Sequence, residues 1–85
     1  MLRNVVGPRV REARKSQRPP ITQGELAARL QVMGFGINQA TVSKIERQLR
    51  PVTDIEVIAL AEALEVPLAW ILGEEGKAGP GREID

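Results

Sequence analysis

The stretch TQGELAARLQVMGFGINQATVSKIER, residues 22–47, decides the fold. It begins with Thr22, followed three residues later by Glu25, which is the capping-box pattern of a helix start. Leucines and a methionine then recur at helical spacing on one face. Gly34 suits the left-handed position that ends many helices, and Phe35 suits the apolar contact that often follows it. The first half of the stretch therefore predicts a helix and a turn.

The second half, INQATVSKIER (residues 37–47), predicts a short helix with most side chains outside the core. Asn38 is a typical N-cap, and Val42 and Ile45 are the only large apolar residues within the helix. A helix buried along so narrow a stripe leaves its other side chains facing elsewhere. The side chains that remain for another partner are those of Gln39, Ala40, Ser43, Lys44 and Arg47.

The rest of the chain also has helical periodicity. Val6, Val10 and Ala13 form the apolar stripe of a first helix, which begins within residues 4–8 and must end before Pro19. A second capping box at Thr53-Asp-Ile-Glu begins a fourth helix, and Pro67 fits the first position of a short fifth helix, which Gly73 ends. The fourth helix is predicted to bury Val57, Ile58, Ala61 and Leu64. The fifth is predicted to turn Leu68, Ile71 and Leu72 inward.

These elements predict an all-α fold, a compact bundle of five short helices that contains a helix-turn-helix. Residues 1–73 form the predicted domain. Residues 74–85 are Gly-rich and charged, so they bury too little apolar surface to order themselves and are predicted to be a flexible tail.

Composition narrows the classes of function. An 85-residue chain forms one small domain. The sequence has neither Cys nor His, which removes disulfides, thiolate metal sites and the commonest catalytic bases. No apolar run reaches the length of a membrane span. We therefore expect a cytoplasmic protein that is not an enzyme, with no cofactor, no metal site and no membrane partner.

The charges are distributed unevenly along the chain. Residues 1–20 have six basic residues against Glu12, a net charge of +5, whereas residues 51–85 have a net charge of −6. Residues 21–36 are balanced and residues 37–50 have a net charge of +2, so the total is only +1. A basic first half favours a polyanionic partner, although ordinary solvated charge explains such a pattern equally simply.

The segments TQGELAARL and INQATVSKIER, in this order, resemble the lambda-repressor-like helix-turn-helix family of phage repressors and XRE-type regulators. The usual sequence of that family has Thr-Gln at the start of helix two, Leu-Ala within it, and Thr-(Val/Ile)-Ser-x-Ile-Glu in the recognition helix. The segment 50–72 is similar to the family's fourth and fifth helices, so the resemblance covers about residues 5–73. The matching residues are Thr22, Gln23, Leu26, Ala27, Thr41, Val42, Ser43, Ile45 and Glu46.

The resemblance implies a double-stranded DNA operator as the partner, with helix 38–48 in the major groove. The first turns of such a helix present side chains to base edges. The base-reading residues implied are Asn38, Gln39, Ala40, Thr41, Ser43 and Lys44. Phosphate contacts are implied for Gln23, at the positive end of helix two, and for Arg47 and Arg50. Arg14 and Glu46 match a structural ion pair between helix one and the recognition helix.

The chain departs from the family pattern within the motif. Fourteen residues separate Ala27 from Val42, more than is usual, which predicts an extended helix two and a wider turn. This added length changes the docking angle expected for the recognition helix.

The resemblance implies a bacterial or phage transcriptional regulator, a repressor that binds DNA as a homodimer. The candidate dimer surfaces are Trp70 with Leu68 on the last helix, or Phe35 in the long turn, and Trp70 is equally suited to the core. The alternatives are an antitoxin, which binds a toxin as well as an operator, or a protein-interaction module on the same fold.

Overall fold

The computed structural model describes residues 2–74, and within this range the chain folds into five α-helices without a strand. Their bounds are Gly7–Lys15 (α1), Gln23–Val32 (α2), Gln39–Glu46 (α3), Asp54–Leu64 (α4) and Leu68–Ile71 (α5). This confirms the predicted all-helical bundle. The predicted tail lies outside the described residues apart from Glu74, and the division at residue 73 stays a prediction. None of the helices within residues 2–74 has the length and apolarity that crossing a lipid bilayer requires.

Three helices begin with the side-chain caps that the sequence predicts. The Thr22 hydroxyl accepts a hydrogen bond from the Glu25 backbone N–H (3.0 Å), and the Glu25 carboxylate accepts from the Thr22 backbone N–H (2.7 Å). Thr53 and Glu56 make the same reciprocal pair at the start of α4. Asn38 caps α3, because its Oδ1 accepts from the Thr41 backbone N–H at 2.9 Å. These bonds satisfy N–H groups that a helix start otherwise leaves without a partner.

Four helices end at a residue with a left-handed backbone, but only two of these residues are glycines. Gly34 (φ 96°) follows α2 and Gly73 (φ 103°) follows α5, as predicted. After α3 and α4 the same conformation is adopted by Gln48 (φ 63°) and Glu65 (φ 59°). At all four ends a backbone N–H after the left-handed residue reaches back to the last turn, which satisfies carbonyl groups at the helix end.

The core is built from the apolar faces of all five helices, with two corrections to the prediction. Ile58 was predicted to be buried, yet it is 52% exposed. Helix α4 contacts the core through the neighbouring residues Val57 and Ala59, so position 58 points outward. Leu68 and Leu72 were predicted to turn inward, yet they are 41% and 51% exposed. In α5 the buried positions are taken by Trp70 and Ile71.

Trp70 belongs to the core of the domain. Its side chain is 7% exposed, and the guanidinium of Arg9 lies over its ring at 4.8 Å from the centroid. Arg9 also donates a hydrogen bond to the Trp70 carbonyl oxygen at 2.9 Å, which joins α1 to α5. Phe35 is half-buried and packs against the core. Neither of these two candidate dimer residues is therefore fully exposed.

Close approach of α1 to the end of α3 requires a glycine. A Cβ atom added to Gly7 would overlap the Ile45 carbonyl oxygen and lie 2.8 Å from the Glu46 carbonyl oxygen. Because backbone atoms cannot rotate away as a side chain can, no larger residue fits at position 7 without shifting a helix. The start of α1 thus fixes the position of the end of α3.

The added length between α2 and α3 forms an ordered connection. Helix α2 spans ten residues, and residues 33–38 connect it to α3. The connection is held by Gln31, whose side-chain amide donates to the Ile37 carbonyl oxygen at 3.0 Å, and Ile37 itself is buried. The extra residues therefore do not loosen the attachment of α3 to the bundle.

Candidate nucleic-acid interface

Helix α3 divides its side chains between the core and the solvent. Val42, Ile45 and Glu46 are buried. Ala40, Lys44 and Arg47, which recur at intervals of four and three residues, are exposed and share the opposite face. The helix contacts α1 and α2, which leaves this outward face uncovered within residues 2–74. A convex helix face of this kind has the shape that a DNA major groove accepts.

The predicted base-reading residues lie at the start of α3 and along its outward side. Asn38, Gln39, Ala40 and Lys44 are exposed, while Thr41 and Ser43 are half-buried. Asn38 is the cap rather than part of the helix, since α3 begins at Gln39. Its Oδ1 accepts from both the backbone N–H and the hydroxyl of Thr41, so its amide NH₂ is the group that remains for another partner. Base reading by these residues stays a prediction.

A buried ion pair holds α3 against α1. Arg14 Nε donates to Glu46 Oε2 at 2.7 Å, and its Nη2 donates to Glu46 Oε1 at 3.0 Å. The two residues are 9% and 7% exposed. The remaining Nη1 group donates to the Ile21 carbonyl oxygen at 3.0 Å, which ties the α1–α2 connection to the same pair. The acid of α3 thus faces away from the outward surface, where it would otherwise repel phosphate.

Gln23 takes part in this network. Its side-chain Nε2 donates to Glu46 Oε1 at 3.1 Å, so α1, α2 and α3 all meet at one carboxylate. Sequence reasoning assigned Gln23 only to a phosphate. Its side chain is half-buried at the N-terminus of α2, and a Cβ atom on the neighbouring Gly24 would lie 3.6 Å from Gln39 Oε1. The starts of α2 and α3 are therefore adjacent on one surface.

The two arginines after α3 have different surroundings. Arg47 is exposed and continues the outward face. Arg50 forms two hydrogen bonds with the Glu56 carboxylate, at 3.1 and 2.9 Å, and so braces the capping box of α4. The hydrogen bond from Arg50 lowers the pKa of the Glu56 carboxyl, and the same bond raises the pKa of Arg50. A phosphate contact by Arg50 stays a prediction, and it would compete with this pair.

The charges of the two sides of the domain are opposite. Helix α3 and the residues after it contribute Lys44 and Arg47 to the outward face. By contrast, the segment 51–74, which forms α4 and α5, contains five acidic residues and neither Lys nor Arg. A polyanion would be attracted to the α3 side and repelled from the other.

Sequence reasoning missed the residues that join the chain start to the end of α3. Asn4 donates two hydrogen bonds through its side-chain amide, to the carbonyl oxygens of Ile45 (3.1 Å) and Arg50 (2.9 Å). Its Oδ1 accepts from the backbone N–H groups of Val6 and Gly7, where α1 begins. An asparagine before a Pro-containing helix start suggests a cap, but no sequence signal indicates contacts more than forty residues away.

Comparison with known proteins agrees with this geometry. A family model described as helix-turn-helix matches residues 10–71, which include every helix from within α1 to the end of α5. No curated protein and no solved structure matches the chain.

Proposed function

Because this chain belongs to the lambda-repressor-like helix-turn-helix family of DNA-binding regulators, we propose that it binds one class of operator sequence in double-stranded DNA and represses transcription there as a homodimer. Helix α3 enters the major groove in this proposal. A regulator that occupies a promoter excludes the polymerase from it, so binding alone is enough for repression.

The observation that carries the proposal is the division of α3 into two faces. Val42, Ile45 and Glu46 hold the helix in the bundle without using any of the exposed polar side chains. Gln39, one residue after the cap, has an amide that can accept from and donate to an adenine edge at the same time. Lys44, on the next turn, is long enough for a guanine edge or a phosphate.

Phosphate contacts on both sides of α3 would set its position in the groove. Gln23 lies at the N-terminus of α2, where the helix dipole and backbone N–H groups favour an anion. Its bond to Glu46 fixes the side chain in advance, so little conformational freedom is lost on binding. Arg47 would contact the backbone at the other end of α3.

The proposed dimer is supported by an exposed apolar surface on α4 and α5. Ile55, Ile58, Leu68 and Leu72 are between 41% and 63% exposed, and the last three border one shallow groove. A single α3 reads only a few base pairs, whereas two copies one helical turn apart read a full operator. Leu68 was among the predicted dimer residues. Trp70 and Phe35 are replaced in the proposal by the leucines and isoleucines of this surface.

Selection of bound duplexes from a random pool tests sequence-specific binding directly. We expect a pseudo-palindromic consensus with half-sites spaced about 10 base pairs, centre to centre. The affinity of the parent and of Gln39→Ala is then measured for the consensus and for each single-base variant. The variant should lose about 1–3 kcal/mol on the consensus and become indifferent at one or two adjacent positions. Recovery of no consensus, with equal affinity for all duplexes, would contradict the proposal.

Sedimentation of the full chain tests the homodimer separately. Leu72→Glu places a charge in the exposed apolar surface, and we expect it to yield monomers and to weaken operator binding while half-site binding persists. Lys15→Gln changes the net charge by the same amount at an exposed position of α1 and serves as the control. A parent chain that stays monomeric on its operator would instead favour the antitoxin or protein-interaction alternatives, in which another protein covers this surface.

A further inference from the structure

The first residues of the chain are attached to the end of α3 by a set of hydrogen bonds. The Arg3 backbone N–H donates to the Gln48 carbonyl oxygen at 3.1 Å, and the Gln48 side-chain amide donates to the Asn4 carbonyl oxygen at 3.0 Å. The Asn4 side chain adds its bonds to Ile45 and Arg50. Residues 3 and 4 therefore follow the loop 47–50 as part of one unit.

This attachment is rigid at both of its ends. On one side, Asn4 Oδ1 accepts from the N–H groups of Val6 and Gly7 at 3.1 and 2.9 Å, which fixes residue 4 to the start of α1. On the other side, Gln48 adopts a left-handed backbone that closes the end of α3. Because Gly7 packs closely on α3, the start of α1 has no room to slide along the end of α3. The position of Arg3 relative to α3 is thus set by the fold.

The contacts of Asn4 also suit a surface that meets phosphate. The C-terminal end of a helix carries partial negative charge on its last carbonyl groups, which repels an anion. Asn4 covers one carbonyl of this end, that of Ile45, and another in the following loop. Arg47 and Arg3 are both exposed and belong to the two segments that these bonds join.

We infer that Arg3 is a phosphate-contacting residue, and that the DNA-binding surface extends from α3 through Arg47 onto the N-terminal segment 3–5. Its backbone is bonded to residue 48, the neighbour of Arg47, so both side chains start from the same edge of α3. Arg9 lies over Trp70 and Arg14 is paired with Glu46, so these two arginines are committed within the domain. Arg11 and Arg18 are exposed as well, but Arg3 is the one whose backbone is hydrogen-bonded to the end of α3. The inference rests on the proposed function, since it assigns a further contact to the same DNA.

The test is the salt dependence of operator binding by full-length parent and Arg3→Gln chains. A plot of log affinity against log salt concentration has a negative slope, and loss of one phosphate contact makes it less steep by about 0.9 for each protomer bound. Affinity should fall about tenfold per protomer at low salt, the factor expected for one charge-assisted hydrogen bond, and equally for all sequences. Arg3→Lys keeps the charge and should retain most of the affinity and most of the salt dependence. The midpoint of thermal unfolding should not change, because the side chain is exposed and the backbone bond remains.

A second variant separates local contact from overall charge. Glu62 is exposed on α4, in the acidic segment, so adding Glu62→Gln to Arg3→Gln restores the net charge on a different helix. We expect the double variant to bind as weakly as Arg3→Gln. Recovery of parent affinity and slope would show that Arg3 acts only through net charge, and an unchanged slope in Arg3→Gln would show that it does not touch phosphate. Either result overturns this inference while leaving operator binding by the parent intact, whereas failure of the parent to bind any duplex overturns the proposed function itself.

Discussion

Removal of the Arg14 side chain should destabilise the domain more than any other single loss of charge. In Arg14→Ala, Glu46 keeps only the hydrogen bond from Gln23 and loses the two from the guanidinium. The Ile21 carbonyl oxygen loses its side-chain donor as well. Breaking a buried ion pair from one side costs about 3–5 kcal/mol, because the remaining charge stays buried without its partner.

This cost is large for so small a chain. At roughly 0.05–0.15 kcal/mol per residue, a chain of this length has about 4–13 kcal/mol of stability in total. A loss of 3 kcal/mol should lower the thermal midpoint by roughly 12–24 °C. Circular dichroism at 222 nm, the helix band, follows unfolding by heat and by urea. Arg11→Ala, which removes an exposed arginine from the same helix, is the matched control and should shift stability by less than about 0.5 kcal/mol.

The double variant Arg14→Met with Glu46→Leu completes the test. Replacing both members of a buried pair by apolar side chains of similar size removes the unpaired charge, so most of the lost stability should return. If Arg14→Ala unfolds at the same temperature as Arg11→Ala, the pair contributes nothing and the reasoning fails. If the double variant is no more stable than Arg14→Ala, the cost arises from lost packing instead of the unpaired carboxylate.

Three further changes test other parts of the fold. Gly7→Ala should cost about 1–3 kcal/mol, since its Cβ meets backbone carbonyls at the end of α3; an unchanged urea midpoint would refute the close approach. Glu65→Gly should raise stability by about 1 kcal/mol by relieving the left-handed backbone, whereas Glu62→Gly, within α4, should lower it by about 0.5–1 kcal/mol. Because Arg50 lowers the pKa of Glu56, their bond stabilises the domain fully above the ordinary Glu pKa, and this contribution is lost as the pH falls through the lower native value. Glu56→Gln should remove this part of the pH dependence in urea titrations between neutral pH and about pH 3.

Local rules of helix formation made most of the fold predictable from sequence. The capping boxes, the Asn38 cap and the glycine stops at Gly34 and Gly73 all depend on residues within a few positions of each other. The helix ends at Gln48 and Glu65 could not be foreseen in the same way, because neither residue favours the left-handed backbone. At Gln48 the bonds to residues 3 and 4 hold this conformation, and a single sequence does not record such contacts.

The burial of particular residues was harder to predict than the helices themselves. Ile58, Leu68 and Leu72 are apolar and fall at helical spacing, so pattern alone placed them inside. Helices α4 and α5 have more apolar residues than their contacts with the core can cover, so some of these residues remain on the surface. In the candidate site, too, one feature could be predicted from the sequence and another could not. The outward face of α3 followed from its narrow apolar stripe, whereas the bonds of Asn4 depend on residues brought together only by the fold.

The separation of α3 into two faces has an evolutionary consequence. Val42, Ile45 and Glu46 determine whether the helix is held in place, and none of them belongs to the exposed set that includes Gln39, Ala40 and Lys44. Substitutions in the exposed set therefore leave the folding free energy nearly unchanged. A lineage carrying this domain can acquire a new operator preference through a few substitutions that do not change its stability, without first accumulating compensating mutations in the core. The same independence makes the chain a suitable starting point for transplanting the recognition surface of one regulator onto the framework of another.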